Sequence, residues 1–321
     1  MKRREFIVGG AAAAWSLAAR AQRATMPVIG VLWPGESPPA PPRMESFTQT
    51  LRQLGFVDGQ NVSIELRYAR GGLQQLPELA AELVRAKVDV LTTFGDLTPK
   101  VAQQATATIP IVAISDDILG AGIVTSLSHP GTNTTGLTIM SPELSAKRLE
   151  VLLEMVPGTS RVAALWDPTT GASQVEITEQ AARALSLNLL VLKVRSRDDL
   201  VDAFRQAQSD RVDALNVFSS PFLASLYREI ITLSAEHRLP AIYQWKEHVE
   251  AGGLLSYGPS LAAMWRQSAT IVVKVLKGAK PAELPVEQPT KFELAVNSKS
   301  AKMLGIVIPP SVLVRADEVV E

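Results

Sequence analysis

The side chains able to do chemistry stand in short clusters, each at the end of an apolar run. Trp33, Gly35 and Glu36 close one run, Phe94, Gly95 and Asp96 the next, and Ser115, Asp116 and Asp117 a third. Asp167 and Thr169, then Ser219 and Ser220, then Tyr243 and Gln244 repeat the arrangement, and Tyr257 sits in a glycine-flanked stretch. Hydroxyls, carboxylates and aromatic rings in this mixture suit capture of a small polar ligand with an apolar or cationic part. Asp96, Asp116, Asp117 and Asp167 can receive an ammonium through charge-assisted hydrogen bonds. Helix N-termini after these loops can receive a carboxylate. Each residue also has a structural use. Trp33 can pack at a strand end, one of Asp116 and Asp117 can cap a helix, and Ser219-Ser220-Pro221 reads as a cap with proline in the first turn. Tyr257 can be a hinge residue, and His129 before Pro130-Gly131 a turn residue.

Signals for bond-making chemistry are absent. The chain has no Cys, and its three histidines, His129, His237 and His248, are not at metal-ligand spacing. There is no GxSxG, no GxxxxGK[ST] and no HExxH. Gly120-Ala121-Gly122 lacks the third glycine of a dinucleotide fingerprint, since Thr125 stands there. The expectation is a binding protein, not an enzyme, without metal or cofactor. Lys and Arg number 32, as do Asp and Glu. Such a balance gives no electrostatic reason to bind nucleic acid.

The elements that must position these clusters alternate along the chain. Val28–Trp33 is a strand, 43–54 an amphipathic helix, 61–68 a strand, 76–86 a helix, 88–94 a strand, 101–107 helical and 109–115 a strand. Continuous apolar strands alternating with helices predict parallel sheets covered on both faces. The same grammar restarts after about residue 140, with a helix over 144–155. Val31-Leu32-Trp33-Pro34 parallels Ala164-Leu165-Trp166-Asp167-Pro168. Lys87-Val88-Asp89 parallels Arg211-Val212-Asp213, and Ile109-Pro110 parallels Leu239-Pro240. Three matches in one order predict two similar doubly wound α/β lobes joined by a three-crossover hinge near 134–139, 255–258 and 285–289. One lobe takes residues 27–138 with 257–285, the other 139–256 with 286–321. The end of the chain reads as a short helix over Ser298–Leu304 followed by an extended tail. Ligands of open parallel sheets sit beyond the carboxyl ends of the strands, which is where the clusters lie.

The first residues read as an address. Lys2, Arg3 and Arg4 precede an uncharged Ala/Gly-rich run over 7–19 and the small-x-small site Ala19-Arg20-Ala21. The run is too short to cross ~30 Å of hydrocarbon as a helix. The order is that of a secretory signal peptide over 1–21, cut between Ala21 and Gln22, and the paired arginines point to twin-arginine export. Cleavage leaves about 300 residues with a net charge of about −3. The expected product is soluble, monomeric and periplasmic.

Longer stretches resemble a known family. Gly55-Phe56-Val57-Asp58-Gly59-Gln60-Asn61-Val62, Leu76-Pro77-Glu78-Leu79-Ala80 and Ile109-Pro110-Ile111-Val112 are similar to the first lobe of the ABC-transporter substrate-binding family that includes tryptophan-binding lipoproteins. Ser141-Pro142-Glu143-Leu144-Ser145-Ala146-Lys147-Arg148, Gly253-Leu254-Leu255-Ser256-Tyr257-Gly258-Pro259 and Leu284-Pro285-Val286-Glu287-Gln288-Pro289 continue it. The resemblance implies a type I periplasmic binding fold, a small-molecule ligand such as an amino acid or aromatic compound, and membrane permease subunits as partners. Many relatives have Gly-Asp-Pro where this chain has Asp116-Asp117-Ile118, and Asn-Pro where it has Asp167-Pro168. Both departures fall at the expected cleft and bear on ligand identity. An exported α/β enzyme and a ligand-sensing module for a membrane receptor are the rival readings.

Overall fold

The computed structural model describes residues 26–35, 38–39, 41–70 and 72–321. Glu36 and the cleavage site at Ala21 and Gln22 lie outside the described residues.

Five strands build the first sheet: β1 (Val28–Trp33), β2 (Ser63–Tyr68), β3 (Val90–Phe94), β4 (Ile111–Ser115) and β5 (Thr134–Thr138). Their order is β2-β1-β3-β4-β5, and all pairs are parallel. β3 and β4 are buried along their whole length because helices cover both faces. On one face α1 (Pro41–Gln53) brings Phe47 and Leu51 against Val31, Val90 and Val112. On the other, α2 (Leu76–Arg85) and α3 (Leu97–Ala105) set Leu76, Leu83 and Val101 against Leu32, Leu91 and Ile111.

The second sheet contains β6 (Arg161–Trp166), β7 (Asn188–Lys193), β8 (Ala214–Val217), β9 (Ala241–Tyr243), β10 (Leu255–Pro259), β11 (Phe292–Asn297) and β12 (Glu318–Val320). Its order is β12-β11-β10-β9-β8-β6-β7, parallel except where β11 runs against β10. On one side α4 (Ser141–Met155) and α5 (Ser173–Ala184) pack Leu149, Leu152 and Ala182 on Val162 and Ala214. On the other, α6 (Arg197–Ser209), α7 (Pro221–Ser225) and α8 (Tyr227–Glu236) bring Phe204, Leu223 and Ile230 to Leu165 and Leu215. The short α9 (Lys246–Glu250) follows β9, and α10 (Leu261–Leu276) follows β10. Among the described residues, no helix is long and apolar enough to cross a membrane.

The two sheets share one plan, since β7-β6-β8-β9-β10 repeats β2-β1-β3-β4-β5. The repeated tripeptides show why the sequence repeats. Lys87 and Arg211 both take left-handed backbone, at φ 56° and 51°. That turn swings the aspartate two residues later onto the start of the first strand of its sheet. Asp89 Oδ2 accepts from Val28 N at 2.7 Å, and Asp213 Oδ2 from Ser160 N and Arg161 N at 2.8 Å each.

The chain passes between the sheets three times. Residues 134–138 do not cross: they form β5, and the passage comes after them at Met140, a left-handed residue at φ 60°. The second passage follows β10, whose five residues all belong to the second sheet, so the lobe boundary set at 256/257 falls inside a strand. α10 then returns to the first sheet, where Met264, Trp265 and Val272 join the cluster around Phe47. The third passage runs past Glu287, which bonds to Gly136 and Thr138 beside β5, to β11. The short helix expected over Ser298–Leu304 is α11, and the tail after it, expected to be extended, instead forms α12 (Pro310–Arg315) and β12. Val312 and Ala301 are buried against the second sheet, which supplies the order that local patterning did not show.

Candidate ligand cleft

The carboxyl ends of the two sheets face each other across a cavity of about 430 Å³, open solvent at its mouth included. Trp33, Phe94, Gly95, Ile114 and Asp116 enter it from the strand ends of the first sheet. Ser219, Ser220, Pro221, Gln244 and Trp245 enter from the second. Arg43, Leu261 and Trp265 come from α1 and α10. The sides touch. Gly95 lies so close to Pro221 that a β-carbon at Gly95 would stand 2.6 Å from the proline ring.

One wall is aromatic. Phe94 stacks on Trp265 at 4.3 Å with 17° between planes, and Trp33 meets Phe94 edge-on at 5.1 Å. Phe47 supports Trp265 from behind at 6.2 Å. The Arg43 guanidinium lies 5.8 Å from the centre of the Trp33 ring. Such a wall offers a planar group large apolar area and edge or face contacts.

The facing polar wall is a hydrogen-bonded acid cluster. Asp96 Oδ1 accepts from Ser115 Oγ at 2.5 Å and from the backbone N–H of Asp116 and Asp117 at 2.9 and 3.2 Å. Asp116 Oδ1 accepts from Ser141 Oγ at 3.0 Å and from Ser219 Oγ, a bond that joins the two sheets directly. None of these bonds uses Asp116 Oδ2. Burial, then the neighbouring Asp96 charge, pushes the Asp116 carboxyl up to about 7, while the two serine hydroxyls pull the other way. Burial pushes Asp96 up as well, against its hydrogen bonds. Asp167 adds a repulsive charge toward Asp116. Its side chain accepts from Thr169 N and Oγ1 at 2.9 and 2.8 Å.

Buried polar side chains behind this wall hold it in place. Gln174 clamps Ser219 by accepting from its N at 3.0 Å and donating to its O at 2.8 Å. Arg148 is fully buried and donates to Tyr257 O at 2.9 Å and Ser145 Oγ at 3.2 Å. Burial lowers its guanidinium to about 9, so it stays charged at neutral pH and attracts Asp116. Gln244 is 5% exposed, lines the cavity, and keeps its Oε1 without a hydrogen-bond partner. A buried acceptor without a partner, on a residue that lines the cavity, is a candidate for a donor from a ligand.

The clusters expected from strand ends divide accordingly. Trp33, Phe94, Gly95, Asp116, Ser219, Ser220 and Gln244 meet at the cavity. Asp96 and Ser115 stand behind it as support, while Asp167 and the exposed Thr169 bond to each other outside the lining. Ser220 lines the cavity and also caps α7 through Leu223 N at 2.8 Å. Gly35 sits in the bend after β1, away from the lining. No helix follows Asp117 for it to cap; its side chain is spent in a turn, accepting from Gly120 N at 2.9 Å. Tyr243 points the other way, into the core with Phe204 and Leu239, with its hydroxyl 3.5 Å from Ser234. Side chains alternate along a strand, so Tyr243 and Gln244 could not both face the cleft. Tyr257 stacks on Phe292 at 6.0 Å and serves the cleft only through its carbonyl. Arg43, Trp265, Arg148 and Gln174 had no signal in the strand-end pattern, because all four lie on helices, whereas Trp245 belongs to the strand-end stretch 243–246 and precedes α9.

The sequence profile of a family described as ABC transporter substrate binding protein matches residues 28–320. A tyrosine-binding protein of Clostridioides difficile is 24% identical over 282 residues, 87% of this chain and 81% of that protein. A solved structure from Streptococcus pneumonia, described as an ABC domain in complex with L-Trp, superposes with a TM-score of 0.84 at 25% identity, covering 92% of this chain and all of that one. A conserved domain protein from Vibrio cholerae reaches 0.86 at 25% identity, with the same coverage.

Proposed function

The chain belongs to the ABC transporter substrate binding protein family, and from that premise we propose that it captures an aromatic L-amino acid between its two lobes and hands it to a membrane permease. The observation that carries this reading is the pairing, in one cavity, of an aromatic wall with an acid whose outer oxygen is unspent. A ring rests on the wall formed by Trp33, Phe94 and Trp265, and the ammonium binds Asp116 Oδ2. Gln244 Oε1 accepts a further N–H or O–H. The tryptophan complex and the tyrosine-binding relative support the choice of an aromatic amino acid. Ligand that touches both lobes stabilises their closed arrangement, and closure is what a permease would read.

The working site is extracytoplasmic, as the basic, apolar and small-residue regions of 1–21 indicate, and the exported form is a monomer. A thermal-shift screen of the purified chain against the twenty amino acids tests the reading. L-tryptophan or L-tyrosine should raise the transition in proportion to the logarithm of ligand concentration. A transition that neither amino acid moves would refute it.

A further inference from the structure

We propose that Arg43 is the carboxylate receptor of the cleft, so that the cargo must carry a free carboxylate beside its cationic end. This deepens the reading of the cleft as an amino-acid site and rests on it. Arg43 lines the cavity from the first turn of α1. Among the described residues it donates no hydrogen bond and forms no ion pair, although its guanidinium carries five N–H donors. Its contact with the Trp33 face uses the ring of electrons and leaves the N–H edge free.

Burial lowers its pKa, and the charges of Glu247 and Tyr227 on the second lobe raise it. Glu247 thus helps keep the guanidinium charged without binding it, and its own buried Oε2 is left without a partner. The start of α1 cannot do that work through its backbone. α1 opens with Pro41-Pro42, so two of the N–H groups that a helix start would offer an anion are missing. The side chain of the next residue is the cation that remains.

The cavity therefore holds one donor fork, at Arg43, and an acceptor, Asp116 Oδ2, entering from different elements. That complementarity fits a zwitterion with an aromatic side chain resting on the Trp33, Phe94 and Trp265 wall. It disfavours the matching amine, which leaves the half-buried guanidinium unpaired.

The test is calorimetric titration of the purified chain and its Arg43→Gln and Arg43→Lys variants with L-tryptophan, L-tyrosine, tryptamine and indole-3-propionate. The wild-type chain is expected to prefer L-tryptophan over tryptamine. Arg43→Gln should shrink that preference about 10- to 100-fold, the range of a charge-assisted hydrogen bond, and Arg43→Lys should restore part of it. An unchanged preference in Arg43→Gln overturns the proposal while leaving the amino-acid reading intact. An equal loss for L-tryptophan and tryptamine also overturns it, since Arg43 would then be only part of the wall. If neither amino acid binds but indole-3-propionate does, and does so through Arg43, the amino-acid reading fails and the carboxylate receptor stands. Tryptamine binding as tightly as L-tryptophan to the wild-type chain, or no binding by any of the four, overturns the receptor.

Discussion

Two buried ionisable side chains near the cleft pull stability in opposite directions with pH. The Asp116 carboxyl, ordinarily at 3.8, sits at about 7 in the folded chain. The folded state then holds a proton that the unfolded state has lost, so this contribution is full below about 4 and disappears as pH rises through 7. His248 is buried against Tyr227 and Tyr243 and beside the charges of Arg43 and Arg148, and is pushed down to about 3. Its contribution is full above about 6.5 and is lost as pH falls toward 3. Between about 4 and 6.5 the two slopes offset each other. Asp116→Asn removes one of them, so denaturant midpoints should rise with pH more steeply in this variant than in the wild-type chain. Parallel profiles would show that Asp116 is ionised in the empty cleft. A ligand ammonium draws Asp116 into its charged form, so binding near pH 6 should release up to one proton, read from calorimetry in buffers of different ionisation heat. The same substitution should abolish the release and weaken an aromatic amino acid by about 10- to 100-fold. Asp116 and Gln244 were legible in the sequence because strand ends in parallel sheets face a cleft. Arg43 and Trp265 were not, since nothing local distinguishes a cleft-facing helical side chain from a core one.

At the scale of elements, continuous apolar runs such as β4 announced themselves, and β5 did not. Its sequence, TTGLT, holds one large apolar residue, and its pairing with β4 and with Glu287 makes it a strand. Gly136 shows how tight that pairing is. At φ 145° it approaches Ala113 so closely that a β-carbon would stand 1.9 Å from the Ala113 oxygen. Gly136→Ala should therefore destabilise the chain by more than about 2 kcal/mol in urea unfolding, through overpacking and backbone strain. β5 leads through Met140 to Ser141, which bonds to Asp116 by both its N–H and its hydroxyl. A displaced β5 thus carries into the acid wall, and the variant should also bind more weakly. Full stability in Gly136→Ala would mean that β5 is free to slide along β4.

For the whole molecule, the duplicated sheet plan matters because it leaves two stable bodies joined only by three strands of chain and by their contacts across the cleft. In the closed arrangement those contacts include the Ser219–Asp116 hydrogen bond and the Gly95–Pro221 approach. Such a hydrogen bond contributes about 0.5–1.5 kcal/mol when Asp116 is protonated and about 1.5–3 kcal/mol when it is ionised, enough to shift a two-state opening equilibrium by roughly twofold to more than tenfold. Ligand adds only its difference in affinity between the open and closed forms. Ser219→Ala should hence open the empty chain while the ligand-saturated chain stays closed, and apparent affinity should fall by the factor by which the closed population falls. The absence of cysteine makes the measurement direct. Glu78 and Asp202 are exposed on opposite lobes, in surface pairs that contribute little, so cysteines there carry spin labels without competing thiols. The label-to-label distance distribution of the empty Ser219→Ala chain should gain a long component that L-tryptophan removes. A distribution identical to that of the unsubstituted chain would show that the serine–aspartate bond does not hold the lobes together, and closure would then rest on the ligand and the apolar contacts alone.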